Sequence, residues 1–153
     1  MKIAVEAGQE TLWLSPLRRR HKSRVDQLAE AAEPIDLMIR NTRVLARACV
    51  RAIDLNEHVP PIATASIRDL AASVNSLDSH LGGSPGHSAA RESALRAAAR
   101  ASAALEETSN LSVNMIVGQV LSTATDLLLG LGLSREDALE EVRTRYAELL
   151  GSM

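Results

Sequence analysis

Apolar residues recur along this chain at alternating intervals of three and four. Val25, Leu28, Ala32, Ile35, Ile39, Thr42, Ala46, Cys49 and Ile53 keep that rule over four heptads, which places them on one face of a long helix. Pro34 falls inside the run, where a proline removes a backbone hydrogen bond and normally breaks or kinks a helix. The apolar phase is the same on both sides of it. The spacing therefore predicts one helix bent near Pro34, with the proline on the exposed side, ending before Pro60-Pro61. Ala63, Ile67, Leu70, Val74, Leu77 and Leu81 repeat the pattern and predict a second helix over 62–81, stopped by Gly82-Gly83. Ser84 to His87 reads as a mobile loop. A third helix over 88–107 is thick with alanine, and small residues let a neighbouring helix approach closely.

The strongest core pattern is Val113, Ile116, Val117, Val120, Ala124, Leu127 and Leu128, a fourth helix over 111–130 with Ser109 or Asn110 as its cap. Gly130 and Gly132 end it. Ser134 followed by Asp137 resembles a capping box and opens a last amphipathic helix carrying Leu139, Val142, Tyr146 and Leu149. These elements predict an all-α protein, an antiparallel bundle of about five helices. A lead segment occupies 1–15, a single bundle domain 16–150 and a tail 151–153.

Composition narrows the class further. Alanine and leucine supply 24 and 22 of the 153 residues, phenylalanine is absent, and Trp13 and Tyr146 are the only aromatics. Strands favour β-branched and aromatic residues, so an all-β fold is excluded. A stacking platform for single-stranded nucleic acid and an aromatic-lined pocket are excluded with it. Net charge is −2, which gives no global attraction to nucleic acid. Cys49 is the single cysteine, so no internal disulfide forms, and its place on the apolar seam predicts a small hydrophobe rather than a nucleophile. Met115 to Leu133, the most apolar stretch, is interrupted by Gln119, Ser122, Thr123, Thr125 and Asp126, so no segment reads as a membrane-spanning helix.

Charge is unevenly spread. Residues 17–51 hold nine basic against four acidic residues, and residues 101–153 hold three against eight. The plain expectation is that these two ends pair within the bundle. The sharper one is a basic face for lipid head groups or a partner. Arg18, Arg19, Arg20, Lys22 and Arg24 form a basic cluster like the collar beside a membrane, where each positive group near an anionic leaflet contributes about 1 kcal/mol. Arg40, Arg43, Arg47 and Arg51 stack along one flank of the first helix. Asp126 is the only charge in the apolar fourth helix, and a carboxylate there needs a partner, so a structural ion pair with Arg43 or Arg47 is expected. A weaker reading has Arg40, Arg43, Arg47 and Arg51 bind an organic anion. Histidines 21, 58, 80 and 87 lie near helix ends or in loops, and no metal, cofactor or catalytic constellation can be assembled.

Three runs, in order, carry a resemblance. They are Leu14-Ser15-Pro16-Leu17-Arg18-Arg19-Arg20-His21; Ile35-Asp36 leading to Arg40-Asn41-Thr42-Arg43-Val44-Leu45-Ala46-Arg47; and Ile116-Val117-Gly118-Gln119-Val120 through Thr123, Asp126-Leu127-Leu128 and Gly132 to an acidic tail helix. Together they resemble the cytoplasmic domain of the FUSC family, the fusaric acid resistance and aromatic acid exporters. Leu121 stands where that pattern has a basic residue. The resemblance implies a non-catalytic helical domain on the cytoplasmic side of a bacterial inner membrane, serving assembly, gating or substrate access. Its partner would be the transmembrane portion of the same or another protein, with a homo-oligomer through Ala/Leu helix faces as a further expectation. The alternatives are a free-standing helical dimerisation protein and a regulator that binds a small organic anion.

Overall fold

A computed structural model describes residues 19–81, 86–108 and 110–152, with side chains described from residue 32 onward except at 80 and 81. It contains five helices, α1 (Arg19–Asp54), α2 (Pro61–Leu81), α3 (His87–Glu107), α4 (Leu111–Gly130) and α5 (Arg135–Ser152), and no strand among the described residues. The protein is an all-α bundle, and several of its helix ends are set by local chemistry. Asn56 adopts the left-handed conformation (φ 51°) after α1, and the amides of Asn56 and Glu57 return to the carbonyls of Ile53 and Ala52. Gly132 (φ 90°) closes α4 in the same way, its amide and that of Leu133 bonding Leu129 and Leu128. Asn110 Oδ1 accepts the Val113 amide at 2.8 Å, and Ser134 Oγ accepts that of Asp137 at 3.1 Å. His87, expected in a mobile loop, is instead the first residue of α3. It is half-buried, with its ring Nε2 3.0 Å from the Leu131 carbonyl. Gly82 to Pro85 lie outside the described residues.

Helix α4 is the centre and touches all four others. By length and composition it is the one described helix that could cross a membrane, and it is also the core helix of the bundle. α1 lies antiparallel on it rather than on its chain neighbour α2. Pro34 meets Gly130, Asn41 meets Asp126, and the His58 carbonyl meets Asn110. α2 and α3 pair antiparallel, Ser73 facing Ala90 and Asp69 facing Arg96 and Arg100. α5 runs alongside α3 in the same direction, Arg91 meeting Glu141 and Glu106 meeting Tyr146.

The expected fourth-helix core is fully buried. Of the other expected faces, that of α1 is turned and those of α2 and α5 are kept in part. On α1 the buried row is Met38, Leu45, Ala48 and Ala52, while Ile39, Thr42, Ala46 and Ile53 are exposed and Ile35 and Cys49 half-buried. On α2, Ser66 and Ser73 take the seam with Ala63, Leu70 and Leu77, and Val74 is 44% exposed. On α5, Ala138 is buried and Leu139 exposed, while Val142 packs against the core and Tyr146 and Leu149 are half-buried as expected. On α2 and α5, which pack on α3, the cause is steric. α3 offers Ala90, Ala94, Ala97, Ala98, Ala101 and Ala104 to its neighbours, and a wall that flat admits close helices only if the facing side chains are small. Ser73 Oγ shows the closeness, donating to the Ala90 carbonyl at 2.7 Å.

Pro34 also departs from expectation. It is half-buried against α4, where Gly130 leaves the space: a Cβ there would sit 3.6 Å from the proline Cβ. α1 passes through Pro34 as one helix. At 36 residues it is about 54 Å long at 1.5 Å per residue, against about 30 Å for the 20 residues of α4. Since Pro34 meets the last residue of α4, the segment Arg19–Glu33 reaches beyond that helix.

Candidate functional site

Arg40, Arg43, Arg47 and Arg51 are all exposed on α1. Arg47 Nε donates to the Arg43 carbonyl within the same helix, and among the described ion pairs none includes these four guanidinium groups. For these four residues the expected pairing with the acidic end is therefore not formed among the described residues. Beside the arginine row runs an apolar row, with Ile39 45%, Val50 56% and Ile53 77% exposed. This two-sided outer surface of α1 is the candidate site. Of the basic cluster, Arg18 lies outside the described residues. Arg19, Arg20, Lys22 and Arg24 fall on the α1 backbone with their side chains outside the description.

The predicted ion pair of Asp126 with Arg43 or Arg47 is not formed. Asp126 is only 6% exposed, and its Oδ2 accepts from Asn41 Nδ2 at 2.8 Å. Each helical residue turns the chain by about 100°, so Arg43, two positions past Asn41, points away from α4. Burial pushes the Asp126 carboxyl above its ordinary value. The Asn41 hydrogen bond and the positive charge of Arg135 pull it partly back. Asn41 is the residue that hydrophobic patterning missed. Its signal was its place in the row 38, 41, 45, 48, 52, which has the same three-and-four spacing as the row one position on.

A second charged cluster joins α3 to its neighbours. Asp69 of α2 receives Arg100 at 2.7 Å and Arg96 at 3.4 Å. Arg91 grips Glu141 of α5, with Nε to Oε2 at 2.8 Å, and Arg145 pairs with both Glu92 and Glu148. A cleft of about 270 Å³ opens between α3 and α5 beside Arg96, Arg100 and Arg145. Every arginine there already faces a carboxylate, so this cluster fastens α2 and α5 to α3 and leaves no excess charge for a ligand. Cys49 is half-buried, and burial pushes its thiol up, away from the reactive thiolate. Among the described residues no group of three or more His, Cys, Asp or Glu side chains is placed to hold a metal.

The arginine row on α1 is convex, whereas small-ligand sites are concave and bury most of their ligand. Titration with a hydroxybenzoate to millimolar concentration is accordingly expected to give no saturable signal. Saturable binding abolished by Arg43→Ala would restore the organic-anion reading. No family model, curated protein or solved structure matches this chain.

Proposed function

We propose that this bundle is a non-catalytic assembly domain, and that it forms the cytoplasmic part of an efflux protein of the FUSC type. In that setting it serves assembly, gating or substrate access. The observation that carries the assembly reading is the outer face of α1, an apolar row beside four arginines that pair with no carboxylate among the described residues, on a helix that outruns α4, its main neighbour among the described elements. A domain built only to fold has no use for a second apolar row. The transporter setting is supported by the three ordered runs of residues that resemble the family, two of which fall on α1 and α4. The basic cluster Arg18 to Arg24 at the head of α1 suits a membrane-proximal position.

Fractionation of the native gene product tests the setting. The product that contains this sequence is expected in the membrane fraction and to resist extraction by alkaline carbonate. Full recovery in the supernatant would overturn the transporter reading and leave the free-standing interaction protein.

A further inference from the structure

We infer that the outer apolar row of α1 is the seam of a homodimer, in which α1 of a second copy packs against it in antiparallel orientation. Three observations converge on that occupant.

The first is periodicity. Ile35, Ile39, Thr42, Ala46, Cys49 and Ile53 alternate steps of four and three, an average of 3.5 residues. That period keeps a seam turned toward a partner helix along a left-handed supercoil, whereas an ordinary surface helix has a 3.6-residue period and one apolar stripe. α1 has two such rows. Met38, Leu45, Ala48 and Ala52 are spent on α4. Of the other, Ile39, Thr42, Ala46 and Ile53 are exposed among the described residues while Ile35 and Cys49 lie half-buried against the core, and its spacing continues in sequence through Ala32, Leu28 and Val25.

The second is the order of the charges. Between positions 26 and 51 all four acids, Asp26, Glu30, Glu33 and Asp36, precede all four arginines, Arg40, Arg43, Arg47 and Arg51, with no other charge between. A parallel second copy would set arginine beside arginine. An antiparallel copy sets the acidic half of each helix against the basic half of the other. With Ile39 facing Thr42 of the second copy, Ile35 faces Ala46 and Ala32 faces Cys49. Asp36 then flanks Arg43 of the second copy, and Glu33 flanks Arg47. Each contact occurs twice by symmetry, as an isologous interface requires.

The third is what this pairing explains. Among the described residues the four arginines pair with no carboxylate, although α5 is rich in acids. The second copy brings Asp36 to Arg43 and Glu33 to Arg47. α1 also carries the length for it, since most of a helix of about 54 Å can be shared while α4 holds the other side.

The inference rests on the assembly reading but not on the transporter setting. Light scattering of the purified 153-residue chain at tens of micromolar is expected to give twice the 16.4 kDa chain mass. Ile39→Arg, at an exposed position, should weaken the dimer at least a hundredfold with helicity unchanged. Asp36→Arg should weaken it about tenfold at low salt, and adding Arg43→Asp should restore it. Under mild oxidation, Ala32→Cys should give a covalent dimer through Cys49, and the parent chain should not. A monomeric parent chain overturns the inference, as does a dimer indifferent to Ile39→Arg or to the charge exchange. A Cys49–Cys49 cross-link in the parent points to parallel pairing and overturns it. So does a monomer that co-sediments with phosphatidylglycerol vesicles, which assigns the face to a membrane. A monomer from a gene product found in membranes removes the dimer alone, and a dimer from a product absent from membranes removes the transporter setting alone.

Discussion

Ala97→Leu is expected to destabilise the bundle by about 1–3 kcal/mol, the usual cost of overpacking a well-filled core. The change keeps helix propensity nearly constant and adds apolar surface, so arguments from hydrophobicity or local structure predict a gain. The geometry predicts the reverse. Ala97 is fully buried in the row Ala90, Ala94, Ala97, Ala101 and Ala104, on a helix packed against α2, α4 and α5. Its neighbour α2 comes close enough for a serine hydroxyl to reach the α3 backbone at 2.7 Å. Three added heavy atoms must push a helix outward and open gaps along the rest of the seam. Urea melts of the two proteins measure the difference. The control is Val74→Ala, a loss of apolar bulk at an exposed position that should stay within about 0.5 kcal/mol. Equal or greater stability of Ala97→Leu would show that α3 is not closely packed.

The same seam explains which parts of the fold were legible. Helix ends were, because each is a local event: Pro61 opens α2, Asn110 and Ser134 cap α4 and α5, and Gly132 closes α4. The core of α4 was legible too, since a helix surrounded by four others is apolar on most sides. Faces were not legible where shape outranks hydrophobicity. By apolar spacing Val74 belongs inside and Ser73 outside, but beside an alanine wall the smaller residue fits and its hydroxyl finds a carbonyl. On α1 both rows keep a three-and-four rhythm, so spacing alone cannot say which one α4 takes. Of the larger row by volume, Ile39 and Ile53 are left outward and Ile35 is half-buried. For Arg40, Arg43, Arg47 and Arg51 the expected charge pairing failed for a topological reason. α1 crosses to α4, whose only carboxylate is Asp126, while α5 pairs with α3, Glu141 with Arg91 and Arg145 with Glu92.

Replacement of Asn41 by alanine is expected to cost about 1–3 kcal/mol at neutral pH, because a buried group then loses its hydrogen-bond donor. Asp126 accepts only from Asn41 among the described residues, and Arg135 acts on it through charge alone. The pH dependence has a definite direction. Burial raises the carboxyl above its ordinary value in the folded chain, so the native state holds the proton more tightly than the unfolded one. Ionisation of Asp126 therefore subtracts stability. That loss is absent below the ordinary carboxylate value and complete once the pH exceeds the raised folded value. Asp126→Asn removes the ionisation and keeps the volume and an acceptor for Asn41. It should match or exceed the parent at pH 7 and lose that advantage as the pH falls toward 4, the unfolded value of an aspartate being about 3.9. In the Asp126→Asn background Asn41→Ala should cost less than in the parent, since no charge is left without a donor. Urea melts of the four proteins at the two pH values close the cycle, and other carboxylates cancel in the differences. An Asn41→Ala penalty that is the same at both pH values and in both backgrounds would mean that the amide contributes by packing alone. A smaller penalty at low pH and in the Asp126→Asn background places the effect in the hydrogen bond to the buried carboxylate.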